Sequence, residues 1–216
     1  DTIVLDKTGT ITVGKPAVTD LWTPASSTMT DEDLLRLAAS AERGSEHPLG
    51  RAIVREAEAR GIALVASESF RASRGHGVRA GIGGREVMVG KPGWFEEMGI
   101  SLAPVNREVQ SLLDQGKTVM VVAADRKPEG CIAVADRVKP EAVEAIRDLR
   151  SEGLRVVMLT GDNRQTAEAI ALQVGIEEVI PEVLPEDKAR RIKELQQAGR
   201  RVGMVWDGIN DAPALA

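Results

Sequence analysis

Apolar residues along this chain follow two rhythms. Three short runs are apolar almost throughout, and each ends in a polar cluster. Thr2–Leu5 leads into Asp6-Lys7-Thr8-Gly9-Thr10, Arg155–Leu159 into Thr160-Gly161-Asp162, and Arg201–Val205 into Trp206-Asp207-Gly208. Unbroken β-branched and aliphatic runs mark parallel strands buried on both faces. Helical spacing predicts helices over Pro140–Ser151, Arg164–Val174 and Pro185–Ala198. Pro140 and Pro185 suit a first helical turn, and Gly153, Gly175 and Gly199 suit a stop.

The middle of the chain reads differently. Thr30-Asp31-Glu32-Asp33 has the form of a capping box and opens a helix carrying Leu34, Leu37, Ala38 and Ala41. Pro48 opens a second helix to about Arg60. Phe70–Arg74, Val78–Ile82 and Glu86–Val89, with Gly83-Gly84 as a turn, predict an antiparallel meander. A helix near Val105–Asp114 and a strand at Thr118–Ala124 follow. Strands without βαβ alternation imply a separate α+β unit. The expected architecture is an α/β domain with a Rossmann-type parallel sheet, residues 1–28 and 129–216, interrupted by an inserted α+β domain at 29–128 with an antiparallel sheet. In open α/β sheets chemistry collects at the C-terminal ends of the strands. The three polar clusters are therefore one candidate site.

Composition narrows the partners. With 28 Lys+Arg against 33 Asp+Glu the net charge is −5, and no basic block appears, which argues against nucleic acid. Three Trp, two Phe and no Tyr are too few for a base-stacking platform. No apolar run approaches the roughly 20 residues of a membrane helix, so this stretch reads as soluble. The single cysteine, Cys131, lies in the apolar stretch Gly130–Val134, which excludes an internal disulfide and predicts a buried, inert thiol.

The polar clusters suit phosphoryl transfer. Asp6 ends a buried strand and is followed by small and hydroxyl residues, as a carboxylate nucleophile meeting a phosphoryl group requires. The N–H groups and hydroxyls of Lys7–Thr12 can cradle that group's oxygens. Asp207-Gly208-Ile209-Asn210-Asp211 offers oxygen ligands suited to Mg²⁺, with Asp207 and Asp6 beside the transferring group and Asp211 as a further ligand. Thr160-Gly161-Asp162 offers a hydroxyl and N–H groups at a helix start. Lys188, expected four residues into the helix opening at Pro185, can neutralise developing charge.

Asp6-Lys7-Thr8-Gly9-Thr10, Thr160-Gly161-Asp162-Asn163, Pro185-Glu186-Asp187-Lys188 and Asp207-Gly208-Ile209-Asn210-Asp211-Ala212-Pro213 resemble the phosphorylation-domain motifs of P-type ATPases. Ser45-Glu46-His47-Pro48-Leu49 resembles the signature of the heavy-metal-transporting branch. The resemblance implies a haloacid-dehalogenase-like fold with an inserted nucleotide-binding domain, and ATP as substrate. It implies catalytic roles for Asp6, Lys188, Thr160 and Asp207. Phosphate contacts fall to Lys7, Thr8, Gly161, Asp162 and Asn210, and Mg²⁺ ligands to Asp6, Thr8, Asp207 and Asp211. It further implies that His47 packs against adenine, that Glu42 accepts from the adenine amine, and that Glu46, Gly75, Gly77 and Gly90 complete the nucleotide site. In an intact protein it implies membrane helices and an actuator domain on the same chain, a cytoplasmic position for this region, and a metallochaperone as a further partner. Copper is the favoured cargo, with zinc, cadmium and cobalt open. The family's phosphorylation domain normally continues past Ala216, so the resemblance implies a C-terminally truncated domain.

Two alternatives stay open at this point. A free-standing phosphatase of the same fold usually carries an acidic residue two positions after the nucleophile. Here that position is Thr8, so a phosphoaspartate would persist. A nucleotide-binding module with impaired turnover is the other, because Trp206 stands where the family carries glycine and a large indole there could crowd the phosphate pocket. Lys91 replaces an asparagine frequent in the copper branch. Gly75–Ala80 imitates a dinucleotide fingerprint, but a hairpin follows it. Gly116-Lys117-Thr118 imitates the end of a P-loop, but the order is helix, loop, strand.

Overall fold

The computed structural model describes residues 1–73, 75–184 and 187–206. The chain forms two compact units, one of residues 1–15 and 136–216 and one of residues 16–135. The expected boundaries, after residues 28 and 128, differ from this division. It falls inside two long strands, β2 (Thr12–Trp22) and β7 (Lys127–Val138), that the pattern of apolar residues did not predict. Residues 16–28 and 129–135 therefore group with the inserted unit.

The first unit holds a parallel four-stranded sheet in the order β10-β1-β8-β9, with β1 at Thr2–Asp6, β8 at Arg155–Leu159, β9 at Glu178–Ile180 and β10 at Val202–Val205. Alternate residues of each inner strand enter different cores. Leu5, Val156 and Met158 pack with Ala142 and Ile146 of α5 (Pro140–Ser151) and Ala167, Ile170 and Val174 of α6 (Arg164–Val174). Val4, Val157 and Leu159 pack on the other face with Val183 and with Ile192 of α7 (Lys188–Gln197). β1 and β8 are apolar almost throughout because both their faces are covered, whereas β10, expected to be buried on both faces, leaves Gly203 and Val205 exposed. The predicted helices at 140–151 and 164–174 are present. α7 is described from Lys188 onward, with Asp187 before it already in helical backbone. The expected start, Pro185, and Glu186 lie outside the described residues.

The chain runs outward from β1 to β8 and β9, then returns to the other side of β1 as β10. This reversal creates a crevice position at the C-terminal end of β1, where open α/β sheets place their ligands. Asp6 ends β1 there and pairs in register with Leu159, the residue before Thr160.

The second unit is an antiparallel sheet in the order β2-β7-β6-β5-β4-β3, where β3 is Ser69–Ser73, β4 Gly77–Ile82, β5 Arg85–Gly90 and β6 Thr118–Ala124. Val87, Val89, Met120, Val122, Ile132 and Val134 face α1 (Asp31–Glu42) and α2 (Pro48–Ala59). Met88, Val119, Val121, Cys131 and Ala133 face the opposite core, which takes in Trp94 and Phe95 of α3 (Pro92–Glu97) and Val109 and Leu112 of α4 (Asn106–Asp114). Thr30 caps α1 through a reciprocal bond with Asp33, as expected of a capping box. Burial pushes the Cys131 thiol up to about 12, so it stays protonated and inert. No helix among the described residues is long and apolar enough to cross a membrane.

Candidate functional site

The expected site residues fall on two constellations, one in each unit. In the parallel-sheet unit, Asp6 and Lys188 are both buried, and the Lys188 Nζ donates to Asp6 Oδ1 at 2.7 Å. β1 delivers the carboxylate at the sheet's switch point, and the first residue of α7 delivers the ammonium. A buried pair of this kind is retained at a desolvation cost. Its chemical value is that the carboxylate is held oriented, with a cation at hand to balance further negative charge.

Beyond Asp6 the chain makes a tight turn over Lys7–Ile11, with Gly9 at φ 80°. Thr8 is exposed, whereas Thr10 Oγ1 is buried with no hydrogen-bond partner. A buried hydroxyl left unpaired costs free energy unless a ligand completes it. Lys7 is drawn aside: its Nζ pairs with Asp162 Oδ2 at 2.8 Å and approaches Asp136 at 3.9 Å. Sequence reasoning assigned Lys7 and Asp162 to phosphate, and the structure pairs them with each other.

Thr160 is buried at the end of β8, and its Oγ1 accepts from the Asp162 N–H at 3.1 Å. This leaves the hydroxyl's own proton for a further acceptor. A strap across this turn fixes it, since Glu182 N–H donates to Asp162 O at 2.9 Å and Val183 N–H to Thr160 O at 3.1 Å. Glu182 takes a left-handed φ of 58° to do so. At Gly161 a Cβ would come 3.3 Å from Val183 O, so the close approach favours glycine.

Trp206 is half-buried just after β10. Asp207, Asn210 and Asp211 lie outside the described residues. Of the residues expected to hold metal, the two described, Asp6 and Thr8, offer hard oxygens, and no cluster of three or more His, Cys, Asp or Glu gathers among the described residues. An oxygen-only set with few protein ligands fits Mg²⁺, which keeps waters and takes a substrate phosphate oxygen.

In the antiparallel-sheet unit, Glu42, His47, Gly75 and Gly77 line one cleft of about 180 Å³, together with Ser45, Leu49, Val78, Lys91 and Met120. Glu42 ends α1 and is 2% exposed, and its Oε2 has no partner. Burial raises its carboxyl above the ordinary glutamate range, against a smaller opposing effect of the Ser45 hydrogen bond. His47 caps α2, and its Nδ1 accepts from Leu49 N–H at 3.3 Å. The ring is thereby fixed at the helix N-terminus, and in its neutral form it carries its proton on Nε2. Glu46 is exposed beside it.

Gly77 and Gly90 face each other in the β4–β5 ladder. A Cβ on Gly77 would meet Val89 O at 2.1 Å, and one on Gly90 would meet the Trp94 ring at 2.5 Å. Gly77 lines the cleft, whereas Gly90 is not among the residues lining it; the cleft wall at Gly77 is thus bare backbone by steric necessity. His76, which also lines the cleft, was not singled out from sequence. Its only signal there was a position between two glycines.

The comparisons bear on both constellations. The whole chain, residues 1–216, matches the haloacid dehalogenase-like hydrolase family. It is 50% identical over 216 residues to a copper-exporting P-type ATPase of Staphylococcus epidermidis and 47% identical to one of Bacillus subtilis. All of this chain is covered in both cases, but only 26% and 27% of those relatives, so it spans about a quarter of their length. Among solved structures, a zinc-transporting PIB-type ATPase in its E2.Pi state superposes with a TM-score of 0.88 at 39% identity, covering 99% of this chain and 34% of that one. The catalytic domain of a CPx-ATPase superposes with a TM-score of 0.67 at 30% identity, covering 100% and 74%.

Proposed function

Since the chain belongs to the haloacid dehalogenase-like hydrolases, we propose that it is the ATP-binding, autophosphorylating catalytic region of a heavy-metal-transporting P-type ATPase, with copper as the first candidate cargo. The observation that carries the reading is the buried Asp6–Lys188 pair at the switch point of the parallel sheet, beside Thr160. The copper-exporting relatives support the choice of metal, while the zinc-transporting neighbour keeps zinc in view.

ATP binds at the cleft of the antiparallel-sheet unit, with adenine between His47 and the glycine wall and its amine toward Glu42. Glu46 stands at the rim. Asp6 attacks the γ-phosphorus: an Asp6 O–P bond forms, the bond from γ-phosphorus to the bridging oxygen breaks, and its electron pair leaves with ADP. Lys188 balances the charge that accumulates when the phosphoryl reaches Asp6. The Thr160 hydroxyl donates to a phosphoryl oxygen. Asp6 and Thr8, with Asp207 and Asp211, would hold Mg²⁺, which supplies charge neutralisation on the transferring group. Thr8 stands two residues after Asp6, where a general acid/base would activate water, and a hydroxyl cannot do this at neutral pH. The phosphoaspartate therefore persists until another module hydrolyses it. In the intact protein that module would be an actuator domain. Membrane helices would carry the metal, a metallochaperone would supply it, and this region would face the cytoplasm.

The test is incubation with Mg²⁺ and γ-labelled ATP. The reading expects acid-stable, hydroxylamine-labile label that is absent in Asp6→Asn, with little phosphate release. Rapid release from small phosphomonoesters would instead identify a phosphatase. Tight ATP binding without label, restored by Trp206→Gly, would identify a module impaired by the indole.

A further inference from the structure

The turn that carries Asp6 is tied at its far end by two side chains that the chemistry above does not use. We propose that Asp136 and Lys139 are positioning residues that hold the Asp6–Thr12 loop, and with it the Lys7 ammonium, in the shape that accepts a phosphoryl group. The proposal rests on the phosphotransfer reading of that loop.

Asp136, near the end of β7, receives three hydrogen bonds from the opposite end of the loop. The Thr12 hydroxyl donates to its Oδ2 at 2.6 Å, and the N–H groups of Gly14 and Lys15 donate to its Oδ1 at 2.9 and 3.2 Å. A carboxylate satisfying three donors is a stronger tether than any neutral side chain of its size. Gly14, at φ 80°, folds back so closely that a Cβ there would lie 3.4 Å from Gly9 N. The Thr12 N–H donates to Lys7 O, which closes the turn from inside.

Lys139 clamps the same turn twice. Its backbone N–H donates to Ile11 O at 2.9 Å, and its Nζ donates to Gly9 O. Gly9 is the residue whose left-handed backbone lets the turn reverse, so its carbonyl is the point at which a tether controls the loop most. Asp136 also approaches Lys7 Nζ at 3.9 Å while Asp162 holds it at 2.8 Å, so the ammonium has a defined place between them. Lys139 caps α5 and Asp136 lies in β7. The loop's shape is therefore set by rigid elements and not by the loop itself.

Two readouts test this. Amide hydrogen exchange in the full chain is expected to show Gly14 and Lys15 protected, and their protection lost in Asp136→Ala. If that variant does not fold, Asp136→Leu is read the same way, because its side chain is of similar size and offers no acceptor to either N–H. Unchanged exchange at Gly14 and Lys15 overturns the tether. In the second readout, Lys139→Met is expected to slow labelling from γ-labelled ATP by about 100-fold, the scale of an ångström misplacement. Its ATP affinity is expected to stay that of the wild type, and Lys139→Arg to recover most of the rate. A Lys139→Met rate equal to wild type, or loss of ATP affinity in step with rate, overturns the positioning role. Absence of label in the wild type would fault the phosphotransfer reading instead, and the exchange measurement would still decide the tether.

Discussion

Glu42 carries a cost of folding that the proposed adenine contact would offset. Its carboxyl is buried, one oxygen lacks a partner, and burial raises its pKa. The unfolded chain ionises this group near its ordinary value, whereas the folded chain keeps the proton to higher pH. Between those two values the folded state binds more protons, so stability falls as pH rises through that window. Glu42→Gln removes the titration and is expected to melt later than wild type in denaturant, with a gap that widens as pH rises above about 4. A gap that is constant with pH would show that the carboxyl is not strained by burial. The same substitution is expected to keep adenine recognition in part, because an amide oxygen still accepts from the amine. That Glu42, His47, Gly75 and Gly77 share one cleft was legible in the sequence through a resemblance. No pattern of polarity marks a buried glutamate as unpartnered, since that depends on what surrounds it.

Elements whose apolar rhythm is strong were legible, and those whose rhythm is mixed were not. β1, β8, α5 and α6 stand where the sequence put them, because one unbroken run or one helical stripe defines each. β2 is mostly exposed or half-buried over Thr12–Trp22, with only Thr12 and Val18 buried, and contains Gly14, Lys15 and Pro16, so it reads as a loop. β7 opens with Lys127-Pro128-Glu129, a turn-like start that masks the buried residues after it. The β4–β5 ladder carries the sharpest constraint at this scale. Gly77→Ala would drive a methyl against Val89 O and is expected to destabilise the chain by about 1–3 kcal/mol. It should also weaken ATP binding by displacing the wall of the cleft. Calorimetric binding and a thermal melt on one sample check both, and an Ala variant with wild-type affinity would remove the wall from the nucleotide site.

At the scale of the molecule, the sequence showed which strand ends converge, because a parallel sheet with its reversal at β1 leaves one crevice for chemistry. It did not show the tethers. Asp136 and Lys139 lie far along the chain from Asp6, and a polar residue after an apolar strand looks like any solvated charge until the fold brings Gly9, Thr12 and Gly14 to it. Nor did the sequence show that Lys7 and Asp162, both expected at the phosphate, pair with each other. The proposed chemistry turns on one covalent bond, that between phosphorus and the Asp6 carboxylate. Borohydride reduction after brief exposure to Mg²⁺ and ATP converts an aspartyl phosphate to homoserine, and mass spectrometry of the peptide spanning Thr2–Thr12 locates it. Homoserine is expected at position 6 in the wild type and none in Lys188→Met. Homoserine at another carboxylate, or an unmodified Asp6 in a protein that is nonetheless labelled, would contradict that chemistry.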